Sequence, residues 1–363
     1  MRLLLALLLL ASAPCAQAKQ PPSKALGLMR KGIAAYEGAR FDECVSLLSK
    51  ALSMRPGWKT ASGFRAMCRW TTGDIAAAKA DAKLAAGLVP NNAESFCARG
   101  FAHFVLKRFE PATQDFEKAV EADPGYAPAH FGIGSVYSQR NMPKDALPHL
   151  DEAVKHAPDA AVMRIVRGTV REKLRNFQGA VEDYDAVLRV APGFEWAHFY
   201  RGRAYREIKQ YAKSEQDFDA FLKRNPESED ALYLRSNVYF QTGDYEAAIK
   251  DLDRIIALNP KHGLAYANRG VVRAQMGEKI EAMADLAKAK ALLPDKADKI
   301  EAQIRQLRDE KTPQAQAGEG PSGVAADALL PGEKIQEPEH GKPDKKQASA
   351  KGEADKNESL PDE

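Results

Sequence analysis

Residues 42–57 read DECVSLLSKALSMRPG, an amphipathic run closed by a proline, and this stretch decides the architecture. The same design returns every 34 residues, closing at Pro56, Pro90, Pro124, Pro158, Pro192, Pro226, Pro260 and Pro294 with no insertion or deletion. A fixed period of this length builds a stacked array of helix–turn–helix units. The proline ring and its missing N–H cannot continue a helical ladder, so each proline ends a second helix.

The rest of each unit agrees. A small residue stands 24 before the proline: Gly32, Ala66, Gly100, Gly134, Gly168, Gly202, Ser236 and Gly270. A second small or packable residue stands 12 before it: Cys44, Ala78, Ala112, Ala146, Ala180, Ser214, Ala248 and Ala282. Eight before it come Leu48, Ala82, Phe116, Leu150, Tyr184, Phe218, Leu252 and Leu286. Small residues let two helices approach, and larger ones fill the remaining space. The pattern resembles the tetratricopeptide repeat family over about residues 25–311. The family's first-helix tryptophan is absent from every unit, and Tyr137, Tyr205 and Tyr239 alone match its first-helix tyrosine. The resemblance implies an all-α, right-handed α-solenoid of eight 34-residue units: 25–58, 59–92, 93–126, 127–160, 161–194, 195–228, 229–262 and 263–296.

Residues 1–18, MRLLLALLLLASAPCAQA, place one arginine before a short apolar run and a small-x-small site at Ala16–Ala18. They read as an export leader cleaved near Ala18, the run being too short to span a bilayer. Lipidation at Cys15 is the alternative, with Pro14 a poor match for it. The mature chain is therefore expected to be periplasmic or secreted, with no transmembrane segment. A linker (19–24) leads into the units, a capping helix (297–311) follows them, and an acidic tail (312–363) ends the sequence. That tail has no Phe, Trp or Tyr and too little apolar surface to offset its ordering entropy, so it is expected to be disordered. Three cysteines remain beyond the leader, Cys44, Cys68 and Cys97. Cys44 fills a core position where the other units mostly use Ala and so reads as a small buried apolar residue, although in an oxidising compartment one pair of the three could close and leave one thiol free. Pro128, Pro143 and Pro148 crowd the fourth unit, and Pro148 is expected to kink or fray its second helix.

Six units carry a first-helix arginine and an aspartate 16 residues later: Arg65 and Asp81, Arg99 and Asp115, Arg167 and Asp183, Arg201 and Asp217, Arg235 and Asp251, Arg269 and Asp285. The other two units lack both partners. Joint presence and joint loss predict an ion pair inside one unit, across its turn, where a planar guanidinium suits a bidentate carboxylate.

Net charge is +3, with no basic stripe, so nucleic acid is not the expected partner. None of the seven histidines sits in HExxH or beside a plausible nucleophile, and Gly132-Ile133-Gly134 falls inside a predicted helix with no preceding strand. No enzyme activity, metal or cofactor is expected. By resemblance, first helices line a concave groove that holds a protein or peptide. Helical spacing puts Tyr36, Met67, Trp70, Phe101 and Phe104 on an apolar floor, followed by Arg203, Arg206, Asn237 and Phe240. That order suits an extended or helical peptide with one acidic stretch. The Lys and Asn set that clamps a terminal carboxylate in some relatives is not found. The reading is an exported binding scaffold for envelope assembly, secretion or protein quality control. A lumenal co-chaperone of the eukaryotic secretory pathway and a self-assembling array are the alternatives. Oligomeric state is left open.

Overall fold

The computed structural model describes residues 23–309. The leader with its cleavage site, Cys15, most of the linker and the acidic tail lie outside the described residues. Among those described, every regular element is helical. The units pair α1 (Ser23–Glu37) with α2 (Phe41–Met54), α3 (Lys59–Thr71) with α4 (Ile75–Ala86), α5 (Ala93–Val105) with α6 (Phe109–Ala122), and α7 (Ala127–Gln139) with α8 (Pro143–His156). They continue with α9 (Ala161–Lys173) and α10 (Phe177–Val190), α11 (Trp196–Glu207) and α12 (Tyr211–Leu222), α13 (Glu229–Thr242) and α14 (Tyr245–Leu258), and α15 (Gly263–Gln275) and α16 (Lys279–Leu292). A final helix, α17 (Ala297–Asp309), buries Ile300 and Ile304 at the end of the stack. Helix α1 begins two residues inside the segment expected as linker. Helix α8 continues through Pro148, so the expected fraying is absent, although that residue has no N–H to donate.

Within each unit the two helices touch where a side chain is missing. A Cβ placed on Gly100 would lie 2.6 Å from the Phe116 ring, one on Gly134 2.6 Å from Leu150, and one on Gly168 2.6 Å from Tyr184. The large partners are fully buried, as are the small residues one turn earlier, Ala112, Ala146 and Ala180. Each turn between paired helices also repeats. Ala39, Gly73, Lys107, Asn141, Arg175, Lys209, Gly243 and Gly277 all have φ between 57° and 83°, at the 34-residue period. The following residues donate back to the helix just ended, as Asp74 N does to Arg69 O at 2.9 Å, which satisfies carbonyls that would otherwise be orphaned. Five of these eight positions hold a side chain in a region that costs it about 1 kcal/mol.

The arginines act at two levels. Each grips the aspartate of its own unit with two nitrogens: Arg99 Nε and Nη2 lie 2.8 and 2.6 Å from Asp115, and Arg201 Nε and Nη2 lie 2.8 and 2.7 Å from Asp217. All six aspartates are buried. In units 5 to 8 the remaining nitrogen reaches back to a more exposed aspartate of the preceding unit: Arg167 to Asp151, Arg201 to Asp185, Arg235 to Asp219 and Arg269 to Asp253. In the second unit Arg65 reaches Ser49 at 3.1 Å instead, and in the third Arg99 reaches the Leu88 carbonyl at 3.1 Å. A second arginine joins the buried carboxylate in three units, Arg69 on Asp81, Arg171 on Asp183 and Arg273 on Asp285.

Successive first helices approach one another, and successive second helices scarcely do, so the first helices lie inside the curve. Curvature is tightest near the start. A Cβ on Gly63 of α3 would sit 2.2 Å from the Ala98 carbonyl oxygen of α5, so only glycine permits that crossing. The first unit thereby reaches the fourth and fifth. Helix α1 packs on α9, Tyr36 meets Phe131 with ring centroids 6.3 Å apart, and Phe41 meets Phe194 at 6.2 Å. A Cys44–Cys68 disulfide joins α2 to α3 with Cα atoms 6.2 Å apart, and Cys97 is a buried free thiol. Closing a loop of this length is worth about 3 kcal/mol through the unfolded state.

Asp183 has Arg164, Arg167 and Arg171 within 3.5 Å. Asp183→Ala strands three guanidiniums and should cost about 3–5 kcal/mol in urea unfolding. Adding Arg167→Ala should cost much less than it does alone; strict additivity in that double-mutant cycle would contradict the contact.

Candidate functional site

The inner faces of the first helices differ between the two halves of the array. In units 1 to 5 they close on each other. Tyr36, Met67, Trp70, Phe101 and Phe104, expected as a groove floor, are buried, with Met67, Phe101 and Phe104 each 3% exposed. Around them Ile33, Phe64, Phe131 and Met163 leave a void of only about 20 Å³. Aromatic contacts knit this interior, Phe101 meeting Phe64, Phe116 and Phe131 with centroids 5.1–6.5 Å apart. These side chains are core, and the reason is curvature. Helical spacing identifies which face a residue occupies, whereas the Gly63–Ala98 crossing decides whether that face is open. Phe240 is also buried, packed on Tyr245.

In units 5 to 8 the inner face is polar and partly open. Tyr184 donates its hydroxyl to Glu172 Oε1 at 2.6 Å, and Glu172 Oε2 accepts from Arg203 Nε at 2.8 Å. The Arg203 guanidinium lies over the Tyr200 ring, 5.5 Å from its centroid. Burial pushes the Tyr184 phenol well up, and the neighbouring Glu172 carboxylate adds to the shift, so the hydroxyl remains a donor. One unit on, Asn268 Nδ2 donates to Tyr233 Oη at 2.9 Å and to Asn237 Oδ1 at 3.2 Å. Burial pushes the Tyr233 phenol up to about 12, while hydrogen bonds from Asn268 and Asn237 act the other way. Arg206 lies beside Glu207.

Arg203, Arg206 and Asn237 therefore remain partly exposed, the Arg203 side chain at 14% and that of Arg206 at 25%. Glu172 and Tyr184 back Arg203, and Asn268 with Tyr233 backs Asn237; of these, helical spacing placed Tyr233 on the inner face, whereas Glu172, Tyr184 and Asn268 were not anticipated from the sequence. Arg203 is paired with Glu172 and Arg206 with Glu207 on this inner surface. The arginine patch expected to receive an acidic stretch is thus internally compensated. Where the first turn meets units 5 and 6, a cleft of about 710 Å³ opens, lined by Phe41, Phe194, Trp196, Arg40, Asp42, Glu43 and Glu195 among others. Among the described residues, no group of His, Cys, Asp and Glu could hold a metal ion, and no helix is long and apolar enough to cross a membrane.

Comparison with known proteins agrees with this architecture. Family profiles described as tetratricopeptide repeat match residues 93–126, three overlapping stretches from 131 to 263, and residues 235–308. A curated relative, RNA polymerase II-associated protein 3 of Mus musculus, is 30% identical over 101 residues, which is 28% of this chain. Its Homo sapiens counterpart is 29% identical over the same length, and the chain spans 15% of either protein. Among solved structures, the APC/C hetero-tetramer Cut9-Hcn1 aligns with a TM-score of 0.60 at 15% identity, covering 77% of this chain and 55% of that one.

Burial of the former floor has a direct consequence. Trp70→Ser and Phe101→Ser should each cost about 3–5 kcal/mol in denaturant unfolding, as core truncations do. A loss below about 1 kcal/mol would return them to the surface.

Proposed function

Because this chain belongs to the tetratricopeptide repeat family, whose arrays are protein–protein interaction scaffolds, we propose that the inner face of units 5 to 8 holds an extended peptide segment of a partner protein. The observation that carries the reading is the contrast between halves. Units 1 to 5 bury their inner side chains, while Arg206 and Asn237 stay partly accessible beside Arg203, with Arg203 and Asn237 held by hydrogen bonds with Glu172 and Asn268. An extended peptide presents unpaired N–H and C=O groups along its length. An amide such as Asn237 can both donate to and accept from them, which gives affinity with little demand on sequence. Arg206 adds one point of selectivity, since a peptide carboxylate can replace Glu207 on its guanidinium. Because the local charges balance, a near-neutral peptide suits this face better than a strongly acidic one.

The proposal includes an exported location, with cleavage near Ala18 and an envelope or secretory role. It is supported by the leader-like composition of residues 1–18 and by the Cys44–Cys68 pairing, since disulfides persist mainly in oxidising compartments. A lumenal co-chaperone role shares both supports and remains the alternative. Against end-to-end assembly, α17 covers the last unit and carries Lys299, Arg305 and Arg308 among its outer residues.

Random 12-residue peptides displayed on phage and selected against the full chain provide the test. Selected peptides should lose at least ten-fold in affinity on Asn237→Ala combined with Arg206→Ala, a change of about 1.4 kcal/mol. Lys250→Ala, on the exposed side of α14, should leave them unchanged. The reading fails if no peptide is selected, or if binding ignores the inner-face substitutions.

A further inference from the structure

The first unit touches the fourth and fifth across a seam at α1 whose chemistry is unusual. Glu37, the last residue of α1, lines the apolar interior beside Ile33, Tyr36, Phe131 and Met163. It also lines the cleft outside, beside Ala34, Gly38, Arg40, Ala157, Asp159, Ala160 and Val190. Among the described residues its carboxylate makes no hydrogen bond or ion pair. Arg40 is the one cation lining that cleft, and its guanidinium is engaged by Glu43 at 2.7 Å. The other charged or titratable groups near Glu37 offer it no compensation. Asp159 faces it from the α8–α9 turn, and Glu94 and Cys97 of α5, with Tyr126 before α7, share its surroundings. Arg30 acts on Glu94 from α1.

We propose that the α1–α9 seam is a pH-operated closure: with Glu37 neutral, the first unit rests against the fifth, and with Glu37 ionised, it swings away and opens the apolar interior of units 1 to 5. Glu37 is half-buried, so an ionised carboxylate there is only partly hydrated against the apolar side chains, and moving α1 off α9 completes its hydration. The disulfide holds α2 on α3, so the first unit stays attached to the second. Opening is therefore a relaxation of curvature along the first five units.

Geometry and titration point the same way. Burial raises the Glu37 carboxyl above its ordinary value of 4.5. A carboxyl that binds its proton more tightly when the seam is shut favours the shut state at low pH. That preference declines as pH rises through 4.5 and is lost above the shut-state value. The ring contacts that close the seam are Tyr36 on Phe131 of α7 and Phe41 on Phe194, and ionising Glu37 acts against them.

The test is a distance across the seam. Spin labels are placed on cysteines replacing Lys31 and Arg189, both exposed and off the seam lining, in the full chain with the disulfide intact. Electron–electron distances are then measured at pH 4.5 and pH 8. The expected result is one short population at pH 4.5 and an added longer population at pH 8. Glu37→Gln, isosteric and uncharged, should keep the short population at both, with circular dichroism confirming that it is folded. Identical distributions at the two pH values would overturn the proposal. So would a Glu37→Gln variant that keeps the full response.

Discussion

Everything in this molecule depends on two helices in each unit approaching closely enough that one residue has no room for a side chain. Gly100 against Phe116, Gly134 against Leu150 and Gly168 against Tyr184 show the contact at its barest. A Cβ placed 2.6 Å from a buried ring has to displace it, and the ring is itself in close-packed surroundings. Tyr184 is further tied through its hydroxyl to Glu172, so the contact that sets helix spacing also anchors the inner face. The buried arginine–aspartate clamps work at the same junction, fixing the angle at which the paired helices meet. Most of their energetic consequence lies with the buried aspartate, because removing it leaves cations behind in a site of low polarisability. The outer aspartates, Asp151, Asp185, Asp219 and Asp253, are about half exposed and contribute less; they align one unit on the next.

Repetition made much of this legible. The 34-residue period sets the number and kind of helices, and the paired appearance of arginine and aspartate 16 residues apart pointed to a contact that is present in the structure. The outer aspartates recur at the same period and were equally visible, but a search for one partner per arginine passes over the second. The left-handed turn residues were missed for a different reason. Glycine announces such a position at Gly73 and Gly243, whereas Lys107, Arg175 and Lys209 occupy it with no signal of their own. Only their spacing from the glycines identifies them.

The inner face was the least legible part. Trp70, Phe101 and Phe104 occupy the positions that spacing assigned, facing inward, yet an inward face is a groove only if the curve leaves room. Curvature comes from one backbone crossing, Gly63 against Ala98, and from a contact between units four apart. Neither has a periodic signature. Farther along, Arg203, Arg206 and Asn237 keep partial exposure on the face that spacing assigned. The support that Arg203 takes from Glu172 and Asn237 from Asn268 comes from neighbouring units and cannot be read from any single repeat. A division of labour follows from the proposed reading: a disulfide-stapled first half, closed in this structure, that positions the array, and a second half whose inner face is the proposed peptide site.

That division rests on the first half being shut, and methionine oxidation tests it most directly. Met29, Met67 and Met163 lie in the closed interior at 0–3% exposure, while Met54 is 41% exposed. Under peroxide at pH 4.5, read by peptide mass spectrometry, Met54 should become the sulfoxide at least ten times faster than the three interior residues, because the thioether reacts only where the oxidant reaches it. Oxidation of Met67 and Met163 at the rate of Met54 would mean an open aromatic groove in units 1 to 5, and would contradict the account.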